Sequence, residues 1–412
     1  MTRVPSLRAL AVAALAAAAG ACAGAGRYPA IPAPETLPEG SPLLSETLHP
    51  GDAWLRHYLM AGDADAALAL LEGRGGPRDE LLRRLQQGVV LHQAGRWAES
   101  NAALEWAERE AEQRVTTSVS RLGGMLVLND ASARYVPPPA EMAMLPYYRM
   151  LNYLALGDAD AAAVEARKAG AYFGALRDRG AGEPCVGEGL VQYLSGHAFA
   201  RAGEANDALV SLRQAERAYQ ACEGAAPPPE LGADLYRWAM RAGVGEVAQQ
   251  AAERYRVPPA AADGDAGELV VLVEHGWVAH RAHADIHVPV FPHELDSLNS
   301  GSGGAVTSTV VGVVAHTAAN LIEQAEWGDA WEERPEVQIA DALDGAYIMK
   351  LAWPVYRLES LSAPEVRVVV DGEPYDAPLA GDLSAAVLRR WEAQRAGMLA
   401  RLVARGVVKY LV

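Results

Sequence analysis

Small and apolar residues recur through residues 44–256 with a helical rhythm, broken at intervals by a single glycine. The clearest stretch is Leu85–Ala107, where Gly88, Leu91, Gly95, Trp97, Ser100, Leu104 and Ala107 carry the pattern. A second copy runs Gly196, Phe199, Gly203, Ala205, Ala208, Leu212 and Ala215, and a third Met150, Tyr153, Gly157, Ala159, Ala162, Ala166 and Ala169. Weaker copies surround Gly62 (Leu55, Tyr58, Ala64, Ala67, Leu71) and Gly243 (Tyr236, Ala239, Ala248, Ala252, Tyr255). Apolar positions three and four apart build one stripe on a helix. The central glycine supplies the left-handed residue that ends a helix. Small residues on either side let two antiparallel helices approach closely. The pattern predicts five helical hairpins. Their turn glycines are spaced by 33, 62, 46 and 40 residues, so the array is irregular. The long gap holds Val115–Pro146, with the run Tyr135-Val136-Pro137-Pro138-Pro139.

The texture changes after residue 256. Val257–Ala266, with Pro258, Pro259 and Gly264, breaks the helical rhythm and reads as a linker. Beyond it, residues 267–412 suit a small α+β domain. Glu268–Val273 is a β-branched run that predicts a buried strand. Ala284–Val290 alternates, and Ala346–Ala352 and Glu365–Val370 are further strands, the last followed by the turn signal Asp371-Gly372. Asp382–Tyr410 has helical spacing through Leu383, Val387, Trp391, Met398, Leu402 and Val403.

The five glycine-centred segments resemble the tetratricopeptide repeat, a helix-turn-helix unit of about 34 residues. That resemblance implies a superhelix of hairpins with a concave face for peptides or partner proteins. The chain as a whole resembles a family of tetratricopeptide-like bacterial lipoproteins of largely unassigned function. The residues that carry it are Tyr135, Glu141, Tyr147–Asp158, Ala163–Arg167 and Gly267–Gly276. It implies an envelope location and says little about chemistry.

The N-terminus fits that location. Residues 1–21 have a basic start (Arg3, Arg8) and an apolar stretch, Ala9–Ala19, too short to span a bilayer. Ala19-Gly20-Ala21-Cys22 resembles a lipobox, which implies acylation at Cys22. An ordinary A-x-A cleavage site is the alternative, and would give a secreted or periplasmic soluble protein. Ala23 in place of the aspartate linked to inner-membrane retention implies an outer-membrane anchor facing the periplasm. Residues 22–43, with Pro29, Pro32, Pro34, Pro38 and Pro42, read as an extended tether. Cys185 and Cys222 remain as a pair in a compartment where disulfides persist. Cys185 precedes a predicted helix, Gly187–Ala202, and Cys222 follows the next, Ala205–Ala221. An antiparallel hairpin would bring them together, and two separate thiols are the alternative.

Charge narrows the partners. The formal charge is −16, and losing residues 1–21 leaves 34 basic against 52 acidic residues, or −18. That excludes nucleic acid as the main partner, because phosphate binding needs clustered Lys and Arg. No His-Glu-x-x-His, serine elbow or Cys/His arrangement appears. Acidic pairs such as Glu332-Glu333 suit a solvated surface. Ser300–Gly304 lacks the Gly-Lys-Ser/Thr of a phosphate loop, and the uncharged Val306–Ile322 suits a packed helix rather than one dipping into a membrane. No cofactor is implied. His283, Asp285 and His287 alternate along a predicted strand and could ligate zinc, although a third or fourth ligand is not evident.

If the first helix of each hairpin faces inward, the groove is lined by His92, Tyr147, Tyr193, His197, Arg201, Arg237 and Arg241, with Arg56, Gln93 and Leu151 beside them. Three arginines on the last two hairpins would form a basic patch suited to carboxylates, or simply a solvated surface. The sequence therefore favours a lipid-anchored scaffold or adaptor in envelope biogenesis or assembly, engaging a protein or peptide partner rather than acting as an enzyme. The alternative is an envelope enzyme or metal-binding protein centred on His283–His287.

Overall fold

The turn glycines decide the architecture. In the computed structural model, Gly62, Gly95, Gly157, Gly203 and Gly243 all have φ between 71° and 79°. At each, the next residue's N–H reaches five residues back. Asp63, Arg96, Asp158, Glu204 and Val244 donate at 2.9 Å to the carbonyls of Tyr58, Leu91, Tyr153, Phe199 and Ala239. This paired closure of a helix end satisfies carbonyls that would otherwise be orphaned. Asp63 and Asp158 also cap the following helices, accepting at 3.0 Å from the N–H of Ala66 and Ala161.

The structure describes residues 50–74, 76, 79–120, 135–178, 187–221, 227–257, 269–290, 347–357, 366–377 and 379–411. Among them are eleven helices and four strands, two of eleven residues and two of four, mostly helix with a small antiparallel β component. Five consecutive helix pairs surround the five glycines: α1 (Pro50–Ala61) and α2 (Ala64–Glu72), α3 (Glu80–Gln93) and α4 (Trp97–Ser120), α5 (Pro139–Ala155) and α6 (Ala159–Asp178), α7 (Glu188–Arg201) and α8 (Ala205–Ala221), α9 (Leu231–Arg241) and α10 (Gly245–Tyr255). Side chains of hairpins three to five share one core, including Met150, Phe173, Phe199, Leu212, Leu231 and Trp238.

The small residues allow close packing. A Cβ on Gly88 would lie 2.4 Å from Leu104 Cδ2, and one on Gly196 would lie 2.6 Å from Leu212 Cδ2. These are the same two positions of the pattern in two hairpins, so the glycine of the first helix is the socket for the leucine of the second. A buried ion cluster joins α4, α5 and α6. Arg149, 4% exposed, bonds Glu108 at 2.7 Å and Glu165 at 3.0 Å, and Lys168 reaches the same two carboxylates at 3.0 and 3.2 Å. Such charges are tolerated inside only when paired in this way.

After the helices, β1 (His280–Val290) pairs antiparallel with β2 (Tyr347–Arg357), and β3 (Arg367–Val370) with β4 (Glu373–Asp376) through Asp371-Gly372. The final helix, α11 (Leu383–Leu411), covers β2 by packing the Trp391 ring at a tilt against Trp353 at 5.3 Å and Tyr356 at 5.7 Å. Its start, capped by Asp382, docks on hairpin four, where the Tyr219 hydroxyl donates to the Ala380 carbonyl at 2.5 Å.

One predicted strand is corrected. Residues 269–273 lie extended but are not in a strand, and among the described residues they make no backbone–backbone hydrogen bond. Leu269, Val270, Val271 and Val273 are exposed rather than buried. A β-branched run signals fit to a pleated surface, and among the described residues no strand pairs with it. The signal and tether, Cys22, Cys185, Cys222, nearly all of the linker 257–266, Ser300–Gly304 and Val306–Ile322 lie outside the described residues. No described helix is long and apolar enough to cross a membrane.

Candidate functional site

The last turn of α3 carries His92 and Gln93 beside α5. A buried polar network orients them. Ser100 Oγ donates to the Gly88 carbonyl at 2.7 Å, and Asn152 Nδ2 donates to Ser100 Oγ and Asn101 Oδ1, each at 2.9 Å. Both amide hydrogens are then used, so Asn152 Oδ1 is left to accept from His92 Nδ1 at 2.6 Å. That bond places the His92 proton on Nδ1 and aims Nε2 outward. The ring also packs edge-on to Tyr148 at 5.0 Å.

An extended strap, residues 269–279, crosses this surface. Leu272 packs against the main core. Glu274 accepts from Gln93 Nε2 at 2.8 Å and lies 3.8 Å from His92 Nε2. Its carboxylate also faces the Tyr147 and Tyr148 hydroxyls. Burial first, and then this carboxylate, push both phenols well above their ordinary range. Gly276, with φ 85°, turns the chain, and Trp277 lies under the Arg56 guanidinium of α1, 5.0 Å from ring centroid to Cζ. The strap thus touches α5, α3 and α1, the first helices of three hairpins, in reverse chain order. At its end, the Ala279 N–H donates to Ser384 Oγ at 3.0 Å, tying strap to α11.

A second carboxylate sits further along. Asp234 of α9, 3% exposed, accepts from the Tyr193 hydroxyl of α7 at 2.8 Å. His197 Nε2 is 3.7 Å from it and Arg237 is 3.5 Å away. Burial first, then Asp234, raise the Tyr193 phenol. Tyr147 and Tyr193 each stand ten residues before a turn glycine, so the same position of two hairpins faces a carboxylate.

The expected groove residues are therefore split. His92, Tyr147, Gln93 and Arg56 gather around the strap. Tyr193, His197 and Arg237 gather around Asp234. Arg241 stacks on Trp238 at 4.7 Å, and Arg201 is exposed at the end of α7. The reading from residues alone missed Glu274, Trp277, Tyr148 and Asp234. The tyrosine doublet and the Glu274-His275-Gly276 turn were the available signals, but each acquires its meaning only when residues far apart in sequence meet.

His283, Asp285 and His287 occupy alternate positions of β1, opposite Pro354, Ala352 and Lys350. Among the described residues, no group of three or more His, Cys, Asp or Glu is arranged to hold a metal.

No protein-family model matches the chain, and no curated protein matches it. Among solved structures, it is similar to the crystal structure of BtubC (BKLC) from P. vanneervenii, at 15% identity and a TM-score of 0.35, over 55% of this chain and 87% of that one. Likeness at that level carries no argument about function.

Proposed function

We propose that this chain is an outer-membrane-anchored, periplasm-facing lipoprotein of the tetratricopeptide-like kind. Its helical hairpins form a superhelix that acts as a scaffold or adaptor in envelope biogenesis or assembly. Stacked hairpins present a continuous face formed by their first helices, a surface suited to extended chains. The observation that carries this reading is the strap. An extended segment already lies across α1, α3 and α5, with its carboxylate held by Gln93 and beside His92. A surface that takes one extended chain in cis has the chemistry to take others.

The lipid anchor at Cys22 would hold this face near the membrane, and the Pro-rich tether would give it reach. The test is crosslinking in intact cells from photoreactive residues placed at Ala94, beside the strap surface, and at Arg201 and Arg241, followed by identification of the captured proteins. A reproducible envelope partner is expected. Its loss on charge reversal at Arg201, Arg237 and Arg241 would locate the interface on the last hairpins. No captured partner above the background of a chain without the hairpins would end the scaffold reading.

A further inference from the structure

We infer that the surface cluster of Gln93, Tyr147 and Tyr148, with His92 packed beside it, is a carboxylate clamp for an extended partner segment, and that Glu274 is its resident pseudo-ligand, displaced when a partner binds. The inference rests on the scaffold reading and adds the chemistry of the partner.

The clamp residues are held by contacts that do not involve the strap. His92 is fixed from behind by Asn152, which is itself fixed by Ser100 and Asn101. Tyr147 is 5% exposed, and Tyr148 is held edge-on by His92. The bond made to the carboxylate is that of the neutral Gln93 amide, and the groups around it, two phenols and an imidazole, carry no guanidinium or ammonium. Such a set suits a single carboxylate and gains little from a phosphate, which recruits arginine forks.

The strap is weakly held for its length. Leu272, Glu274 and Trp277 reach the helices, while Leu269, Val270, Val271, Val273 and Val278 are exposed at 44% or more. Its anchors stand at positions i, i+2 and i+5. A competing segment would therefore carry an aliphatic residue two positions before an acidic one, with an aromatic three further on. Being tethered, the strap has a high effective concentration, so it occupies the clamp until a partner outcompetes it.

The test uses the full mature chain with Cys22→Ser and a fluorescent peptide of residues 267–278. Anisotropy should show the peptide binding to the Glu274→Ala chain at least tenfold more tightly than to the chain with Glu274. The same peptide with Gln at the Glu274 position should lose at least tenfold. Gln93→Ala, at an exposed end of α3 where folding is not at stake, should weaken binding to the Glu274→Ala chain. Equal binding to both chains, or equal binding of both peptides, would overturn the inference. A clamp that takes the peptide in a cell that yields no partner would end the scaffold reading alone. A captured partner with an indifferent clamp would end this inference alone.

Discussion

Gly196→Ala should destabilise the chain, although it places the best helix former in a helix. Alanine gains about 1 kcal/mol over glycine at an interior helical site. The new methyl, however, would lie 2.6 Å from Leu212 Cδ2 and 2.7 Å from Cγ, about 1 Å inside ordinary contact distance. Leu212 is 1% exposed, so it has no solvent to swing into. Overpacking of this kind costs about 1–3 kcal/mol, which leaves a net loss near 1 kcal/mol. Leu212→Ala alone should cost about 2–5 kcal/mol through the cavity it opens. In that background the clash is gone, and Gly196→Ala should stabilise by about 1 kcal/mol, reversing its sign. The coupling, about 2 kcal/mol, is read from urea midpoints by far-ultraviolet circular dichroism and from hydrogen exchange of the α7 and α8 amides. Exchange is needed because a repeat array need not unfold as one unit. If Gly196→Ala is stabilising with Leu212 present, or has the same sign in both backgrounds, the socket account of the repeat glycine fails.

Burial holds the phenols of Tyr147, Tyr148, Tyr193, Tyr219, Tyr255 and Tyr356 above their ordinary value, Tyr255 at about 12. A raised folded pKa gives stability that is complete below the unfolded value of about 10 and is lost as pH climbs beyond it. The tyrosinate absorbance of these six phenols, isolated by subtracting variants with each changed to Phe, should therefore rise together with loss of helix, and their ionisation in a still-folded chain would contradict this. Glu165 is also raised above 4.5, by burial against the opposing pull of Arg149 and Lys168. Its contribution is complete below that value and declines as pH rises toward the folded pKa, so Glu165→Gln should gain stability relative to the parent over that window, with a pH-independent difference as the contrary result. Asn152→Ala leaves His92, Ser100 and Asn101 short of partners and should cost about 1–3 kcal/mol in urea melts. A loss under about 0.5 kcal/mol would show the network to be solvated.

The five turn glycines were legible from residues alone because a left-handed helix end is a local demand, met by one residue type. All five carry positive φ and the same hydrogen-bond closure. The helices α7, α8 and α11 fall within a residue or so of the bounds that the periodicity predicts. The strap was misread for an equally physical reason. The run Leu269–Val273 scores as a strand whether or not a neighbour exists to pair with it, and pairing is a long-range event. Arg149 and Glu165 resemble surface residues of amphipathic helices, and only the stacking of hairpins makes them a buried pair. His92, Tyr147, Tyr193 and His197 were readable as first-helix positions. The identity of their partners, Glu274 and Asp234, required the fold.

The strap also sets an order of events. The hairpins close contacts between neighbours in sequence, whereas Gln93 meets Glu274 across 181 residues and Tyr219 meets Ala380 across 161. Loop closure of that length follows the local contacts and does not precede them. During synthesis from the N-terminus, hairpins one to three are complete well before Glu274 has been made. Through that interval, the surface of α1, α3 and α5 is bare, with Gln93, Tyr147 and Tyr148 open to whichever carboxylate reaches them first. The strap contacts are thus the last of this surface to form, and a chain that ended before Glu274 would fold the same hairpins without them.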